Sequence, residues 1–314
     1  YYMKNGHAYI GITSKNVNVT ALKKFDPVRY ADIDWEADKA GEYENGLFWD
    51  ILSQLGVALN DEEQSEQILG TKPEFVFLGG QSQSGMYLNT YTNVFQPYLY
   101  NAKTKEYMFD GYYNWVGAIP TAIQPTAVIP TANDTSPKSI YKAMGVPNVV
   151  VMSQAESGFK EGAGLFPSYK TKKDQNSEHD IFRLYEVAGA PHSDAISPII
   201  QNNDALVKAG VNPRKYPTSS LPNTIKSDLH IDMFVSGAMQ NLYDYAVAKK
   251  NNPNADPKQY FPAADDKWIN VDPATGKFPR DDHGNVLGGV RHPLADNPLA
   301  TYMVQSDFMT MFSA

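Results

Sequence analysis

The chain alternates short apolar runs with longer segments in which apolar residues recur at helical spacing. Residues 75–78 and 149–152 are apolar throughout, as in strands that are buried on both faces of a sheet. This alternation predicts parallel strands joined by crossover helices, and therefore an α/β fold with a mostly parallel sheet flanked by helices. The predicted strands cover residues 7–13, 75–78, 112–118, 149–152 and 182–187, and the predicted helices cover 47–59, 86–98 and 231–249.

Two proline-rich stretches interrupt the alternation. Residues 120–137 are rich in Pro, Thr and Ala, and residues 253–282 in Pro, Asn and Asp, so neither is a regular helix or a central strand. We expect one domain over 1–314, with 119–146 and 211–285 as cap or insert segments. Because the chain opens directly on a strand-like segment, we also expect part of the protein to lie upstream of Tyr1.

Charge and cysteine content exclude several classes of protein. The 314 residues carry a net charge of −8, which disfavours nucleic acid as a partner. The chain has no cysteine, so disulfides, thiol catalysis and thiolate metal sites are excluded. No run reaches the roughly 18 apolar residues of a membrane span. Abundant Tyr, Asn and Lys without Cys favours a secreted or extracellular protein over a cytoplasmic one, and leaves the oligomeric state open.

A candidate nucleophile follows the predicted strand at 75–78. The turn reads Gly80-Gln81-Ser82-Gln83-Ser84-Gly85, in which small residues flank Ser82 two positions away on either side. In such a strand–serine–helix turn the backbone is strained, and the serine hydroxyl is exposed at the end of a sheet. Ser84 is the rival nucleophile, but Met86 would then occupy a position that needs a small residue. Ser84 also stands where a second glycine is usual.

A candidate base and a candidate acid follow later strands, in the chain order serine, acid, histidine. His192 lies in a Gly/Pro turn directly after the strand at 182–187, where open α/β sheets bind ligands. The other five histidines lie at a strand start or in polar, loop-like surroundings, where a solvated ring is the default. Glu156 follows the strand at 149–152, whereas Asp134 precedes that strand and Asp194 comes after the histidine, so these two remain alternatives.

These residues predict a division of labour for acyl transfer. His192 takes the proton of Ser82, Glu156 orients the imidazole, and the backbone N–H of Gln83 supplies one oxyanion donor. Gln81 and Arg291 are candidates for the substrate pocket, although a salt bridge that holds the C-terminal loop is the preferred role of Arg291. We expect no cofactor, and no helix-borne pair of metal ligands is present in the sequence.

The turn around Ser82 resembles that of a bacterial family of α/β-hydrolase domains, whose elbow reads Gly-x-Ser-Gln-Ser/Thr-Gly. Further similar stretches extend the likeness over nearly the whole chain: residues 6–13, Arg29-Tyr30, Phe109-Asp110-Gly111, 183–189 with His192, Gly284-Asn285, the Gly-Gly-x-Arg-x-Pro signature at 288–293, and Pro298. The resemblance implies the α/β-hydrolase fold and esterase-like hydrolysis by a serine–acid–histidine triad. It also implies that the first strands of the sheet and a second oxyanion donor lie upstream of Tyr1.

The leading hypothesis is therefore a serine hydrolase that cleaves small-molecule or polymer carboxylic esters through an acyl-enzyme. An acyltransferase on the same triad is the first alternative, because only the acceptor differs. A non-catalytic binding protein on a hydrolase scaffold is the second alternative, which the twenty tyrosines permit.

Overall fold

The computed structural model describes residues 2–12, 15–34, 46–99, 107–117, 144–157, 172–177, 179–192, 203, 207–208, 210, 212, 229–298 and 300–302. The proline-rich stretch at 120–137 and the alternative acids Asp134 and Asp194 lie outside these residues. The described part contains a six-stranded, mostly parallel sheet flanked by helices, as the alternation of the sequence predicts.

The sheet has the strand order β1-β2-β3-β5-β4, and β6 pairs with β5. All pairs are parallel except β4 with β5. The central strand β3 is buried along its whole length, because helices cover both faces of the sheet. The strands are β1 Phe77–Gln81, β2 Gly111–Trp115, β3 Asn148–Ser153, β4 Gln175–Ser177, β5 Asp180–Ala188 and β6 Val290–Arg291.

Helices pack on the sheet through apolar stripes. On α6, the buried residues Val235, Ala238, Leu242 and Tyr245 recur at helical spacing and pack in one core cluster with strand residues that include Tyr113. Aromatic residues of α2 and α4 pack in a second cluster with Tyr112, whose side chain points to the opposite face of β2. The helices are α1 Asn16–Phe25, α2 Leu47–Asn60, α3 Glu62–Leu69, α4 Gln83–Val94, α5 Gln154–Ser157, α6 Asp232–Asn251 and α7 Pro293–Asp296.

The strands predicted at 112–118, 149–152 and 182–187 and the three predicted helices are confirmed, with bounds that shift by a few residues. The strand predicted at 75–78 begins later, at Phe77, because the Val76 N–H donates to the side chain of Asp110 at 2.7 Å. It also runs through the glycine pair. A side chain at Gly79 would collide with the ring of Tyr113 on the neighbouring strand, so glycine suits this register.

The strand predicted at 7–13 is wrong for residues 7–12, which form no strand. Side-chain contacts, rather than hydrogen bonds to a neighbouring strand, hold this N-terminal segment against the rest of the protein. The hydroxyl of Tyr2 lies 2.6 Å from that of Tyr113, and the ring of His7 makes an edge contact with Tyr243. Alternation of apolar residues indicates strand propensity but does not supply a partner strand.

The segment at 253–282 forms no regular helix or central strand, as predicted, and consists of loops and turns with one short 3-10 helix and isolated β-bridges. The fully buried Arg183 on β5 ties this segment to the sheet by donating to the carbonyl of Phe261 at 2.9 Å. Within 211–285, α6 packs on the sheet, and the division into a domain with cap segments stays a prediction. Among the described helices, none combines the length and the hydropathy that crossing a bilayer requires.

Candidate active site

Three candidate side chains meet at one edge of the sheet. Ser82 directly follows β1, Glu156 lies on the short helix α5 after β3, and His192 lies in the turn after β5. These three strands are mutually parallel within the sheet, so their carboxyl ends lie on the same side. The topology thereby brings together residues that are up to 110 positions apart in the chain.

Ser82 has a backbone conformation that is rare for a residue with a side chain, with φ 51° and ψ −119°. Such a conformation costs about 1–3 kcal/mol and persists only where the surroundings enforce it. Here the Ser82 N–H donates to the carbonyl of Trp115 at 3.0 Å, and the Ser82 carbonyl accepts from the Met86 N–H at 3.0 Å. The turn is therefore held by β2 on one side and by the first turn of α4 on the other.

At two glycines, Gly80 and Gly85, the backbone of the turn packs closely against other backbone atoms. A Cβ atom at Gly80 would lie 2.4 Å from the carbonyl oxygen of Ser84, and one at Gly85 would lie 2.8 Å from the Cα of Gly117. Buried amides of Asn89 and Asn114 donate to the Gly117 carbonyl at 2.8 and 3.0 Å. This contact fixes the start of α4 against the end of β2.

A continuous chain of hydrogen bonds joins the three side chains. The Nε2 atom of His192 lies 2.8 Å from the Oγ of Ser82, and its Nδ1 lies 2.5 Å from the Oε1 of Glu156. Because a carboxylate only accepts, the Nδ1–H donates to Glu156 and leaves the Nε2 lone pair to accept the Ser82 proton. The side chain of Glu156 is 3% exposed and that of His192 17%, so the carboxylate is shielded from solvent while the imidazole is partly accessible to it.

Sequence reasoning missed two residues that hold this arrangement. The Oε2 atom of Glu156 accepts from both the backbone N–H and the hydroxyl of Ser153, at 3.0 and 2.5 Å. The side-chain oxygen of Gln154 accepts from the N–H of Gly189, in the turn that carries His192. The only signal in the sequence was a pair of polar residues at the end of an otherwise apolar run, which many surface turns share.

The remaining predicted residues surround the elbow or lie apart from it. Gln83 is the first residue of α4, so its N–H belongs to the donors that a helix directs outward from its N-terminus. Ser84, the rival nucleophile, is exposed on the first turn of that helix. Gln81 lines a cavity of about 730 Å³ along β1, at one end of the strand order. That cavity is not lined by Ser82 or His192.

Arg291 is engaged in a network of the C-terminal loop. Its guanidinium donates to Asp281 at 2.7 Å and Asp296 at 2.6 Å, and also to the carbonyls of Val286 and Ala295. Burial alone would raise the pKa of Asp281, but the hydrogen bonds led by that from Arg291 lower this pKa overall. These contacts favour the preferred structural role of Arg291 over a role in the substrate pocket.

His292 differs from the sequence expectation of a solvated ring. It is 7% exposed, its ring lies 5.9 Å from that of Phe234, and its Nδ1 accepts from the Leu294 N–H at 3.1 Å. Burial lowers the pKa of His292, and the neighbouring His230 lowers this pKa further. The ring therefore serves as the N-cap of α7, a role that the polar loop sequence did not indicate.

The family of the chain follows from comparison with known proteins. A family model described as an alpha/beta hydrolase domain matches residues 1–313. The chain belongs to the α/β-hydrolase domain family. No curated protein and no solved structure matches it. The family predicted from the sequence motifs is thus confirmed, while its bacterial origin stays a prediction. Within the described part of this hydrolase domain, no group of three or more His, Asp or Glu side chains is arranged to hold a metal ion.

Proposed function

We propose that this α/β-hydrolase domain cleaves carboxylic esters through an acyl-enzyme on Ser82. The observation that carries the proposal is the hydrogen-bonded series Ser82–His192–Glu156, with distances of 2.8 and 2.5 Å. A serine hydroxyl is a weak nucleophile at neutral pH and needs a base, here the imidazole of His192, and an acid that orients this base, here Glu156. Both partners stand within hydrogen-bond distance here, in the tautomer that general-base catalysis requires.

In the first half-reaction, the Ser82 Oγ attacks the carbonyl carbon of the ester while its proton passes to Nε2 of His192. Glu156 stabilises the imidazolium that forms, and the Gln83 N–H donates to the developing oxyanion. The tetrahedral intermediate then expels the alcohol, which takes the proton from Nε2. The acyl group remains on Ser82.

In the second half-reaction, water takes the place of the alcohol. His192 accepts a proton from this water as the water oxygen attacks the acyl carbon, and the second intermediate releases the carboxylic acid and restores the Ser82 hydroxyl. The exposed fraction of His192 allows water to reach the base, which favours hydrolysis over transfer to another acceptor.

The test compares two serines on the same turn. Ser82→Ala should lower the turnover of a short-chain p-nitrophenyl ester by about 10⁴-fold or more, because residues of such a triad act as a unit. Ser84→Ala is the matched control and should retain wild-type turnover, since Ser84 is exposed on the first turn of α4. A fluorophosphonate should label the wild type and Ser84→Ala, but not Ser82→Ala.

Equal turnover by the wild type and Ser82→Ala would overturn the proposal. Failure of the wild type both to label and to turn over esters would instead favour a non-catalytic binding protein. Ester products formed in the presence of an added alcohol, at the expense of free acid, would favour an acyltransferase on the same residues.

A further inference from the structure

We propose that Ser153 and Gln154 are positioning residues for the Glu156–His192 pair, an inference that rests on the proposed function. Ser153 ends β3 and Gln154 begins α5, so they lie three and two positions before Glu156 in the chain. Both side chains are nearly fully buried, at 0% and 5% exposure. Ser153 donates to Glu156 itself, and Gln154 accepts from Gly189 in the turn that carries His192.

Ser153 determines which carboxylate oxygen of Glu156 faces the histidine. Its backbone N–H and its hydroxyl both donate to Oε2, so Oε1 is left to accept from His192. The direction of the hydroxyl proton is itself defined, because the Ser153 Oγ accepts from the Ala155 N–H at 3.1 Å. The terminal torsion of a glutamate is otherwise broad, so these donors remove a freedom that would misalign the acid.

Gln154 fixes the distance between the turn of the acid and the turn of the base. The backbone ladder between β3 and β5 ends at the pair Ser153 and Val187. Two residues beyond that pair, the Gly189 N–H donates to the side-chain oxygen of Gln154 at 2.8 Å. The amide of Gln154 thus extends the ladder by one bond, at the point where β3 has already turned into α5.

Gly189 is the residue at which the chain turns toward His192, with φ +81°. A bond to its N–H therefore acts at the origin of the turn and not on the imidazole itself. Loss of the bond would let His192 move relative to Glu156, although Ser82, His192 and Glu156 would all still be present and chemically unchanged. Catalytic geometry tolerates little displacement, since misplacement by about 1 Å can lower a rate by about 10²-fold.

The experiment uses the full chain with Ser153→Ala, Ser153→Thr, Gln154→Met and the control Ser157→Ala. Ser157 lies on the same helix, but its hydroxyl bonds to Glu186 at 2.8 Å. For Ser153→Ala and Gln154→Met we expect kcat on a p-nitrophenyl ester to fall about tenfold or more with KM unchanged, as for a lost bond to a charged group or a misplaced base. Ser153→Thr, which keeps the hydroxyl, should restore most of the rate, and Ser157→Ala should retain it.

A spectroscopic readout separates positioning from general destabilisation. The proton shared between His192 Nδ1 and Glu156 should give a low-field proton NMR resonance in the wild type and in Ser157→Ala. This resonance should shift or broaden in Ser153→Ala and Gln154→Met, measured at a temperature where melting curves show all variants folded. If Ser153→Ala does not fold, Ser153→Cys takes its place, because a thiol keeps the volume but donates weakly.

Wild-type kcat and an unchanged resonance in Ser153→Ala and Gln154→Met would overturn the inference, as would losses no larger than those of Ser157→Ala. Ser82→Ala and His192→Gln distinguish this failure from failure of the proposed function. If both are inactive while the positioning variants are fully active, only the positioning role fails. If Ser82→Ala remains active, the proposed function itself fails.

Discussion

Two neighbouring turns of this protein each carry a histidine, and the two rings are bound in opposite ways. His192 follows β5, and His292 follows β6, the strand that pairs with β5 in parallel. The Nδ1 of His192 faces the carboxylate of Glu156, whereas the Nδ1 of His292 accepts from the Leu294 backbone N–H. The partner of one ring nitrogen thus determines whether the other can accept a proton.

The comparison shows that a histidine at a strand end is not by itself a base. Only His192 combines a carboxylate behind the ring, a serine hydroxyl in front of it and access to solvent. His292 stands beside Phe234 and caps a helix, and burial lowers its pKa. The first ring is suited to proton transfer and the second to holding the C-terminal loop.

The same substitution in both turns should separate the two roles most strongly. His192→Gln removes the proposed base, so ester turnover should fall by about 10⁴-fold or more with little change in the free energy of unfolding. His292→Gln should retain turnover within a few-fold. Steady-state kinetics and urea unfolding of both variants measure this difference. Equal losses of turnover would contradict the different roles assigned to the two histidines.

Glu156→Gln should give His192 the hydrogen-bond pattern of His292. An amide at position 156 can donate to Nδ1, which moves the ring proton to Nε2 and blocks acceptance of the Ser82 proton. We expect kcat to fall by about 10³- to 10⁴-fold, as for loss of the correct tautomer in other triads. Retention of wild-type kcat would show that tautomer selection by Glu156 does not limit the reaction.

The capping role of His292 should appear as a change in stability. His292→Ala removes the acceptor for the Leu294 N–H, so the free energy of unfolding should fall by about 0.5–2 kcal/mol. His292→Asn, a good N-cap, should lose less. Urea unfolding at pH 7 measures both, and a smaller loss for alanine than for asparagine would contradict the role.

The smallest effect concerns the pH dependence of stability. The pKa of His292 in the folded protein lies below its ordinary value of 6.5, so folding favours the neutral ring. That contribution is complete above pH 6.5 and is lost as the pH falls through the lowered folded value. The slope of stability against pH in this acidic window should be shallower in His292→Asn than in the wild type, and identical slopes would argue against this linkage.

Local patterns in the sequence were enough to predict the elbow around Ser82, because an apolar run, a small-residue turn and a helix lie within about twenty consecutive positions. The apolar run suggested a strand buried on both faces, whereas Phe77 and Leu78 of β1 are only half-buried. The positions of Glu156 and His192 were predictable because both follow apolar runs that form neighbouring parallel strands. The family was predictable from motifs spread along the chain. The catalytic roles of these residues, the ester substrate and a secreted location remain predictions.

Features that depend on distant partners were not predictable. Gln154 bonds to Gly189, 35 positions away, only because β3 and β5 pair in one register. The burial of His292 depends on Phe234, on a helix that comes before it in the chain by more than fifty positions. Residues 7–12 have a strand-like pattern, yet contacts of Tyr2 and His7 place them without a ladder.

The close approach at Gly80 has a consequence for how relatives of this protein are found. A Cβ atom at position 80 would meet the backbone of Ser84, whereas Ser84 itself is exposed at the edge of the cavity along β1. The two flanks of the serine are therefore under unequal constraint: the earlier position must be glycine, and the later one tolerates a larger residue. A search pattern that demands glycine on both sides would pass over this chain, and one relaxed only on the later side would retrieve it.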